Sequence, residues 1–167
     1  MKNEIFVEME ETCEAPSWFD NVKPFVTKVL DNLEKDHWEL SVLFCNDKFI
    51  WDLNRQYRQI DNPTDVLSFE QGDEYTDEND ETWFTAGDIV ISLDTLKTNC
   101  TEFGVTENEE LKRLLIHGVL HLSGMDHSDN SPEQPMLKFQ EEILAKMQHM
   151  DGCTRLLDLT ENPLVGL

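Results

Sequence analysis

Three of the five histidines lie close together in the segment HGVLHLSGMDH. His117 and His121 are four positions apart, so on an α-helix both imidazoles lie on one face and can reach the same point. Gly124 suits the left-handed backbone position that ends a helix, and a sharp turn there would return His127 toward that point. Three imidazole ligands with an open fourth position are typical of a catalytic zinc site, although nickel, copper and cobalt also accept such ligands.

Gly118 directly follows the first of these histidines. In zinc proteases of the HExxH type a glutamate holds this position and acts as the base on metal-bound water. The segment therefore offers metal ligands without that base, which argues against peptide hydrolysis. A helper group for metal-assisted chemistry must then come from elsewhere in the chain.

The chain is strongly acidic, with 35 aspartates and glutamates against 13 lysines and arginines and a net charge of −22. A surface of this sign repels phosphates, so non-specific binding to nucleic acid should be weak. Residues 70–81 (EQGDEYTDENDE) concentrate the acidic side chains and offer little to bury. This composition predicts an exposed, mobile loop.

The compartment is indicated by the cysteines and by the apolar runs. The four cysteines are far apart in sequence and form no CxxC pair, which favours free thiols in a reducing compartment. The N-terminal residues include acidic side chains where a signal peptide needs an apolar run, and no stretch approaches the ~20 apolar residues of a membrane span. We therefore expect a cytoplasmic protein without membrane contact.

Hydrophobic periodicity predicts alternating strands and helices in one domain. Strands are predicted at 5–9, 38–45, 65–70 and 86–92. A helix is predicted at 18–33, with Pro24 as its kink or its beginning, and another after a cap at Asn46 or Asp47. Further helices are predicted at 94–103, at the histidine segment after Thr106, and after Ser131 and Pro132. Ile50, Leu53 and Tyr57 are predicted to share one face of their helix, and Ile143, Leu144 and Met147 are predicted to face inward.

Three segments together resemble the YbeY family of metal-dependent endoribonucleases. HGVLHLSGMDH is similar to the family signature HGxLHLxGxDH, and LNRQYRQIDNPTDVLSF (53–69) and GDIVIS (87–92) agree with the family in order and spacing. The resemblance implies an α+β fold, in which one small zincin-like domain at residues 1–150 has a mixed four-stranded sheet packed with about five helices. It also implies a metal site on the helix after the last strand. The tail at 151–167 is left unassigned, as either disordered or docked.

The same resemblance implies that His117, His121 and His127 bind one zinc ion together with water, and that Arg58 is a catalytic arginine beside the metal pocket. Chemistry supports the arginine, because a guanidinium can bind two oxygens of a phosphodiester under attack while a metal polarises a third or activates water. Taken alone, Arg58 could equally form a surface ion pair with Asp61.

Other polar residues near these segments leave two interpretations open. Arg55, Lys112 and Arg113 either add positive charge for a phosphate chain or are ordinary solvated helix residues. Asp126 either orients a histidine or closes the turn with its side chain. Asp65 and Ser68 either line the pocket or belong, with Thr64, to the start of a strand.

The function that the resemblance implies is a single-strand-specific, zinc-dependent endoribonuclease. Its family role would be maturation of the 3′ end of small-subunit ribosomal RNA and ribosome quality control, without action on DNA. Given the charge of −22, we expect a small-subunit ribosomal protein or an assembly GTPase to help it reach ribosomal RNA. Two alternatives remain: a non-catalytic ribosome-assembly factor with a structural metal site and, less favoured, a metalloprotease.

Overall fold

The computed structural model describes the backbone of residues 1–158 and the side chains of residues 1–148. The chain divides into two compact units, Met1–Asp126 and a second that begins at His127. Within the described residues, the first unit contains all the strands and four α-helices, and the second contains one long helix.

Four strands form one sheet in the order β1-β2-β4-β3: β1 (Glu4–Met9), β2 (Trp38–Cys45), β3 (Val66–Thr76) and β4 (Thr82–Ser92). β1, β2 and β4 run parallel, and β3 pairs antiparallel with β4. The predicted α+β fold with a mixed four-stranded sheet is therefore confirmed. β1 and β3 are the two edges of the sheet among the described residues.

The five α-helices are α1 (Val22–Asn32), α2 (Asp47–Arg58), α3 (Leu93–Phe103), α4 (Glu107–Leu122) and α5 (Pro135–Asp158), with a 3₁₀ turn at Phe19–Asn21 before α1. Pro24 lies in the first turn of α1, where its missing N–H is not needed, so it marks the beginning of the helix and causes no kink. The histidine-bearing helix α4 is the second helix after the last strand, because α3 comes between them. α5 continues through residue 158, whereas residues 159–167 of the predicted tail lie outside the described residues.

Side-chain caps begin the helices where the sequence predicts them. The Asn46 side chain accepts a hydrogen bond from the backbone N–H of Phe49 at 2.8 Å and starts α2. Thr106 accepts from the backbone N–H of Glu109 at 3.1 Å and starts α4. Each cap pairs an N–H group that has no partner inside its own helix.

Residues 70–81 form the outer half of a β-hairpin, so the prediction of a mobile loop is wrong. β3 and β4 remain paired as far as Thr76 and Thr82, and all side chains of 70–76 are exposed as expected. At the turn, the Asp77 carboxylate accepts from the backbone N–H groups of Asn79 at 2.8 Å and Glu81 at 2.9 Å. Backbone pairing and this carboxylate stabilise a segment in which most side chains are exposed.

α4 and α2 lie on opposite faces of the sheet. On one face, Ile89 of β4 approaches Gly118 of α4 so closely that a Cβ atom at Gly118 would lie 2.7 Å from the Ile89 side chain. Val90, the next residue of β4, belongs to a buried cluster with Ile50 of α2. Successive side chains of a strand point to opposite faces, so the two helices must do the same.

The second unit is described by α5. Met136, Ile143, Leu144 and Met147 are buried, which agrees with the predicted inward positions on this helix. α5 begins at Pro135, three residues after the predicted start at Pro132. Among the described residues, no helix has the length and apolar character that a membrane crossing requires.

Candidate metal centre

Two histidines of α4 point toward each other at the end of the helix. The Nε2 atoms of His117 and His121 are 3.1 Å apart. Ligand atoms from His117, His121 and His127 all lie within 4.8 Å of one another. Two nitrogens bound to one tetrahedral ion at 2.0–2.1 Å are about 3.3 Å apart, so this donor set fits a three-histidine metal site.

Backbone carbonyls determine the tautomer of two of these histidines. His121 Nδ1 lies 3.1 Å from the carbonyl oxygen of Met125, and His127 Nδ1 lies 2.9 Å from that of Asp129. A carbonyl oxygen only accepts, so each Nδ1 carries the proton and each Nε2 keeps its lone pair. The Asp126 carboxylate is farther from His121 Nδ1, at 4.0 Å, and 87% exposed, so the nearer acceptor that orients this ring is the Met125 carbonyl.

The turn after α4 has the backbone conformation that the sequence predicts. Gly124 has a φ of 99°, which residues with a side chain rarely adopt, and its N–H donates to the His121 carbonyl at 3.0 Å. The N–H of Met125 donates to the carbonyl of Leu120 at 3.1 Å. These bonds end the helix directly after its second histidine and place the Met125 carbonyl beside the His121 ring.

The close packing of α4 on the sheet requires a glycine at position 118. Any Cβ at this position would meet three atoms of Ile89 at 2.7–2.9 Å, closer than packed carbon atoms approach. A glutamate would not fit here without moving α4 away from the sheet. The residues that hold α4 in place are buried, namely Leu111, Leu114, Leu115, Ile116, Val119, Leu120 and Leu122.

Arg58 is the last residue of α2, and polar contacts hold this end of the helix. Gln59 ends α2 in the left-handed conformation, with a φ of 59°. Asn54 is 3% exposed, and its side-chain amide donates to the Asn62 carbonyl at 2.8 Å. The buried amide thus connects the last turns of α2 to the loop that leads into β3.

The Arg58 guanidinium contacts β3, the strand at the edge of the sheet. Its Nη2 donates to the Ser68 carbonyl at 2.7 Å, and its central carbon lies 5.3 Å from the centre of the Phe69 ring. The ion pair with Asp61 that the sequence allows does not form, and Asp61 instead accepts from Trp51 Nε1 at 2.9 Å. Within residues 1–148, Arg58 forms no salt bridge.

Ser68 connects the surroundings of Arg58 with the face that carries α4. The Phe69 carbonyl points across the ladder toward Gly87, so the preceding carbonyl, that of Ser68, points away to the open edge. Ser68 pairs directly with Ile89, and paired residues share a face, so its hydroxyl points to the face of α4. Within the described residues this buried hydroxyl has no hydrogen-bond partner, which leaves it available to a ligand or water.

The structure thus brings ligand atoms of the three predicted histidines close together, and it places Arg58 against β3 at the sheet edge. Asp65 bonds to the first N–H of β3, at Val66, which favours the strand-start interpretation. The other basic candidates have partners on their own or adjacent helices: Arg55 with Asp52 at 2.9 Å, Arg113 with Glu109 at 3.2 Å, and Lys112 over the Phe25 ring at 5.5 Å.

Comparison with known proteins identifies the family. The family model described as endoribonuclease YbeY matches residues 6–148. The chain belongs to the YbeY family. It is 60% identical to the endoribonuclease YbeY of Treponema denticola over 153 residues, which cover 90% of this chain and 97% of the relative. It is 54% identical to that of Treponema pallidum over 144 residues, 86% of this chain and 89% of the relative.

A solved structure agrees with the YbeY assignment. The chain resembles a Thermotoga maritima protein determined in solution, with a TM-score of 0.61 and 26% identity, over 96% of this chain and 98% of the other. The resemblance stated from the sequence is therefore confirmed, and with it the membership of an enzyme family named for cutting RNA.

Three residues near Arg58 were missed as site candidates, although all lie in the YbeY-like segment 53–69. They are Asn54, Tyr57 and Phe69. Helix spacing puts Tyr57 on the same face of α2 as Ile50, but it is 54% exposed, because it lies in the last turn of α2, where the helix reaches the sheet edge. Only a contact that joins α2 to β3 reveals these side chains, and no local pattern encodes such a contact.

Proposed function

We propose that this chain is a zinc-dependent endoribonuclease that cuts single-stranded RNA. Its substrate would be the 3′ end of small-subunit ribosomal RNA, in the cytoplasm, in maturation and in ribosome quality control. The observation that carries the proposal is the convergence of three histidines in a chain that belongs to the YbeY family. Zinc, the ribosomal substrate and Arg58 as the catalytic residue are parts of this proposal.

His117, His121 and His127 would hold the ion, and the carbonyl partners of His121 and His127 orient their rings through Nδ1. A bound zinc ion supplies a Lewis acid and a water of lowered pKa. The histidines themselves need not move a proton, since their work is to bind and orient. This division requires a separate group that recognises the phosphate.

Arg58 suits phosphate recognition because it is positively charged and its side chain is held in place. Its guanidinium is fixed by the Ser68 carbonyl and the Phe69 ring and forms no salt bridge within residues 1–148. Its remaining N–H donors can therefore bind the non-bridging oxygens of a phosphodiester. Arg55, one turn earlier, differs because its guanidinium is paired with Asp52.

The metalloprotease alternative has less support than at the sequence level. The position of the missing glutamate is filled by Gly118, which packs on Ile89 with no space for a longer side chain. A protease would need a base from outside the histidine segment. The assembly-factor alternative predicts a different outcome. A non-catalytic factor would cut no RNA with or without the metal, and loss of the metal would lower its binding and its stability together.

Selectivity for ribosomal RNA would come from a ribosomal protein or an assembly GTPase, because a chain of charge −22 repels naked RNA. We expect the affinity for naked ribosomal RNA to depend only weakly on salt, as few phosphates are contacted. A steep salt dependence would contradict this part of the proposal.

The central experiment is cleavage of a ribosomal RNA fragment by zinc-loaded protein, with His121→Ala, Arg58→Ala and Arg55→Ala purified identically. We expect wild type and Arg55→Ala to cut, Arg58→Ala to lose on the order of 10²-fold in rate, and His121→Ala to lose cleavage. Arg55 is the matched control, since it removes one arginine from the same helix.

Two results would contradict the proposal. Equal cleavage by all four proteins would indicate a contaminating nuclease. Equal losses in Arg55→Ala and Arg58→Ala would mean that general positive charge on α2 matters and Arg58 has no special role. Thermal melting of each variant shows whether it remains folded.

A further inference from the structure

A half-exposed aromatic ring lies directly beside Arg58. Tyr57 is 54% exposed, and its ring meets the Phe69 ring edge to face, with centres 5.4 Å apart. Arg58 lies over the same Phe69 ring at 5.3 Å. Phe69 therefore supports both a guanidinium and a second aromatic ring on the α2 side of the sheet edge.

The second feature of this pair is the positive charge of Arg58. Arg58 forms no salt bridge within residues 1–148, and its carbonyl partner, Ser68, leaves its charge uncompensated. An uncompensated cation beside an open aromatic face is the combination with which proteins bind single-stranded nucleic acid. The cation takes a phosphate, while the ring stacks on a base.

The combination of Tyr57 and Arg58 also favours single-stranded over double-stranded RNA. Bases in a duplex are already stacked on their neighbours, so only an unpaired base can place its face on a tyrosine ring. One ring and one guanidinium offer contacts to one base and one phosphate. This chemistry matches a single-stranded substrate.

We propose that Tyr57 stacks on an unpaired base of the RNA substrate while Arg58 binds a neighbouring phosphate. Phe69 is the positioning residue that holds both side chains. The proposal rests on the proposed function, and it assigns to Tyr57 the recognition of unpaired RNA at that site.

The test measures binding of a fluorescein-labelled, single-stranded RNA oligonucleotide by anisotropy, at several salt concentrations. The proteins are zinc-loaded wild type, Tyr57→Ala, Tyr57→Leu, Tyr57→Phe and Phe6→Ala. Leucine keeps apolar contact with Phe69 but has no aromatic face. Phe6 is the matched control, because it is 51% exposed on β1, the opposite edge of the sheet.

We expect Tyr57→Ala and Tyr57→Leu to weaken binding roughly tenfold or more, with the slope of affinity against salt unchanged, because stacking releases no counterions. Tyr57→Phe and Phe6→Ala should bind as wild type does. Arg58→Ala should instead reduce the salt slope by about one phosphate contact. An oligonucleotide with abasic sites should bind wild type and Tyr57→Leu equally.

The possible results separate the two proposals. If wild type cleaves RNA and Tyr57→Leu binds as tightly as wild type, the stacking proposal is wrong and the proposed function stands. If Phe6→Ala weakens binding as much as Tyr57→Leu does, the effect is not specific to Tyr57 and the stacking proposal is likewise wrong. If wild type neither binds nor cleaves RNA, the proposed function fails as well.

Discussion

The helices α4 and α2 lie on opposite faces of one sheet and hold their candidate residues by different means. α4 is fixed by buried apolar side chains and by Gly118, which lets it approach Ile89 closely. α2 has two buried residues, Ile50 and Asn54, and its last turn is held by hydrogen bonds to backbone carbonyls. Close packing thus places His117 and His121, two of the three proposed metal ligands, whereas a few polar contacts place Arg58.

The two helices should therefore tolerate displacement of their candidate residues to different extents. Three ligands of one ion must keep their spacing to within tenths of an ångström, and a densely packed core resists such displacement. An arginine that binds phosphate can adjust through its long side chain and needs only its last turn restrained. Damage to α4 should therefore remove stability and metal binding together, while damage to α2 should remove mainly RNA chemistry.

The largest effect should follow from Gly118→Val. The added carbon atoms overlap Ile89, so we expect a loss of about 3 kcal/mol in the free energy of unfolding and weaker zinc binding. Denaturant unfolding and zinc titration measure the two effects. Adding Ile89→Ala makes room and should recover part of the loss, and a fully additive double mutant would argue against the close contact.

The proposed zinc ion should stabilise the protein through its three histidines and without a contribution from Arg58. A ligand at one hundred times its dissociation constant stabilises the folded state by about 2.7 kcal/mol, which raises the melting temperature. We expect this rise in wild type and in Arg58→Ala, and none in His121→Ala. A rise that disappears in Arg58→Ala would mean that the arginine and the metal ligands are not separable.

Asn54→Ala tests the polar anchor of α2. The substitution leaves the Asn62 carbonyl without its buried donor, and we expect a loss of about 2 kcal/mol in unfolding free energy. Cleavage should fall because Arg58 loses its restraint, whereas zinc affinity should stay the same. Gln56→Ala, an exposed position on the same helix, should change neither, and reduced zinc affinity in Asn54→Ala would contradict the comparison.

The smallest expected effect is a change of stability with pH. Contacts between titratable side chains depend on pH, whereas apolar packing does not. His37 Nε2 lies 3.2 Å from the Glu81 carboxylate at the base of the hairpin turn, and this contact raises the pKa of His37 above its ordinary 6.5. A hydrogen bond from Lys2 lowers the pKa of Glu81 below its ordinary 4.5. The ion pair between His37 and Glu81 is therefore strongest between about pH 4.5 and 6.5. It is lost as the pH rises through the raised pKa of His37.

The measurement is the melting temperature of wild type and His37→Gln from pH 5.5 to 9. The gap between them should shrink as the pH rises, because wild type alone loses the charged contact. The gap between wild type and Gly118→Val should stay constant over the same range. A His37→Gln gap that grows with pH would show that the sign is wrong.

The sequence could predict what local patterns encode. Helix spacing places His117 and His121 on one face, Gly124 indicates the turn, and alternation gives the strands of the sheet. The hairpin at 70–81 could not be predicted, since its stability comes from backbone pairing and from Asp77, neither of which leaves a hydrophobic pattern.

The contacts of Arg58 could not be predicted from the sequence for a related reason. Its partners are a backbone carbonyl ten residues later and the ring of Phe69, and carbonyl acceptors carry no signature in a sequence. The exposure of Tyr57 escaped because its spacing from Ile50 and Leu53 is that of an inward face, and only the position of the sheet edge shows where that face ends.

The open edge of β3 has one more consequence. An unpaired strand presents N–H and C=O groups on which a second copy of the same protein could add its own strand, the first step of aggregation. Along this edge Glu70, Asp73 and Glu74 are exposed, so two copies that tried to pair here would bring like charges together. The acidic side chains of the hairpin thus oppose self-assembly through this edge of the sheet.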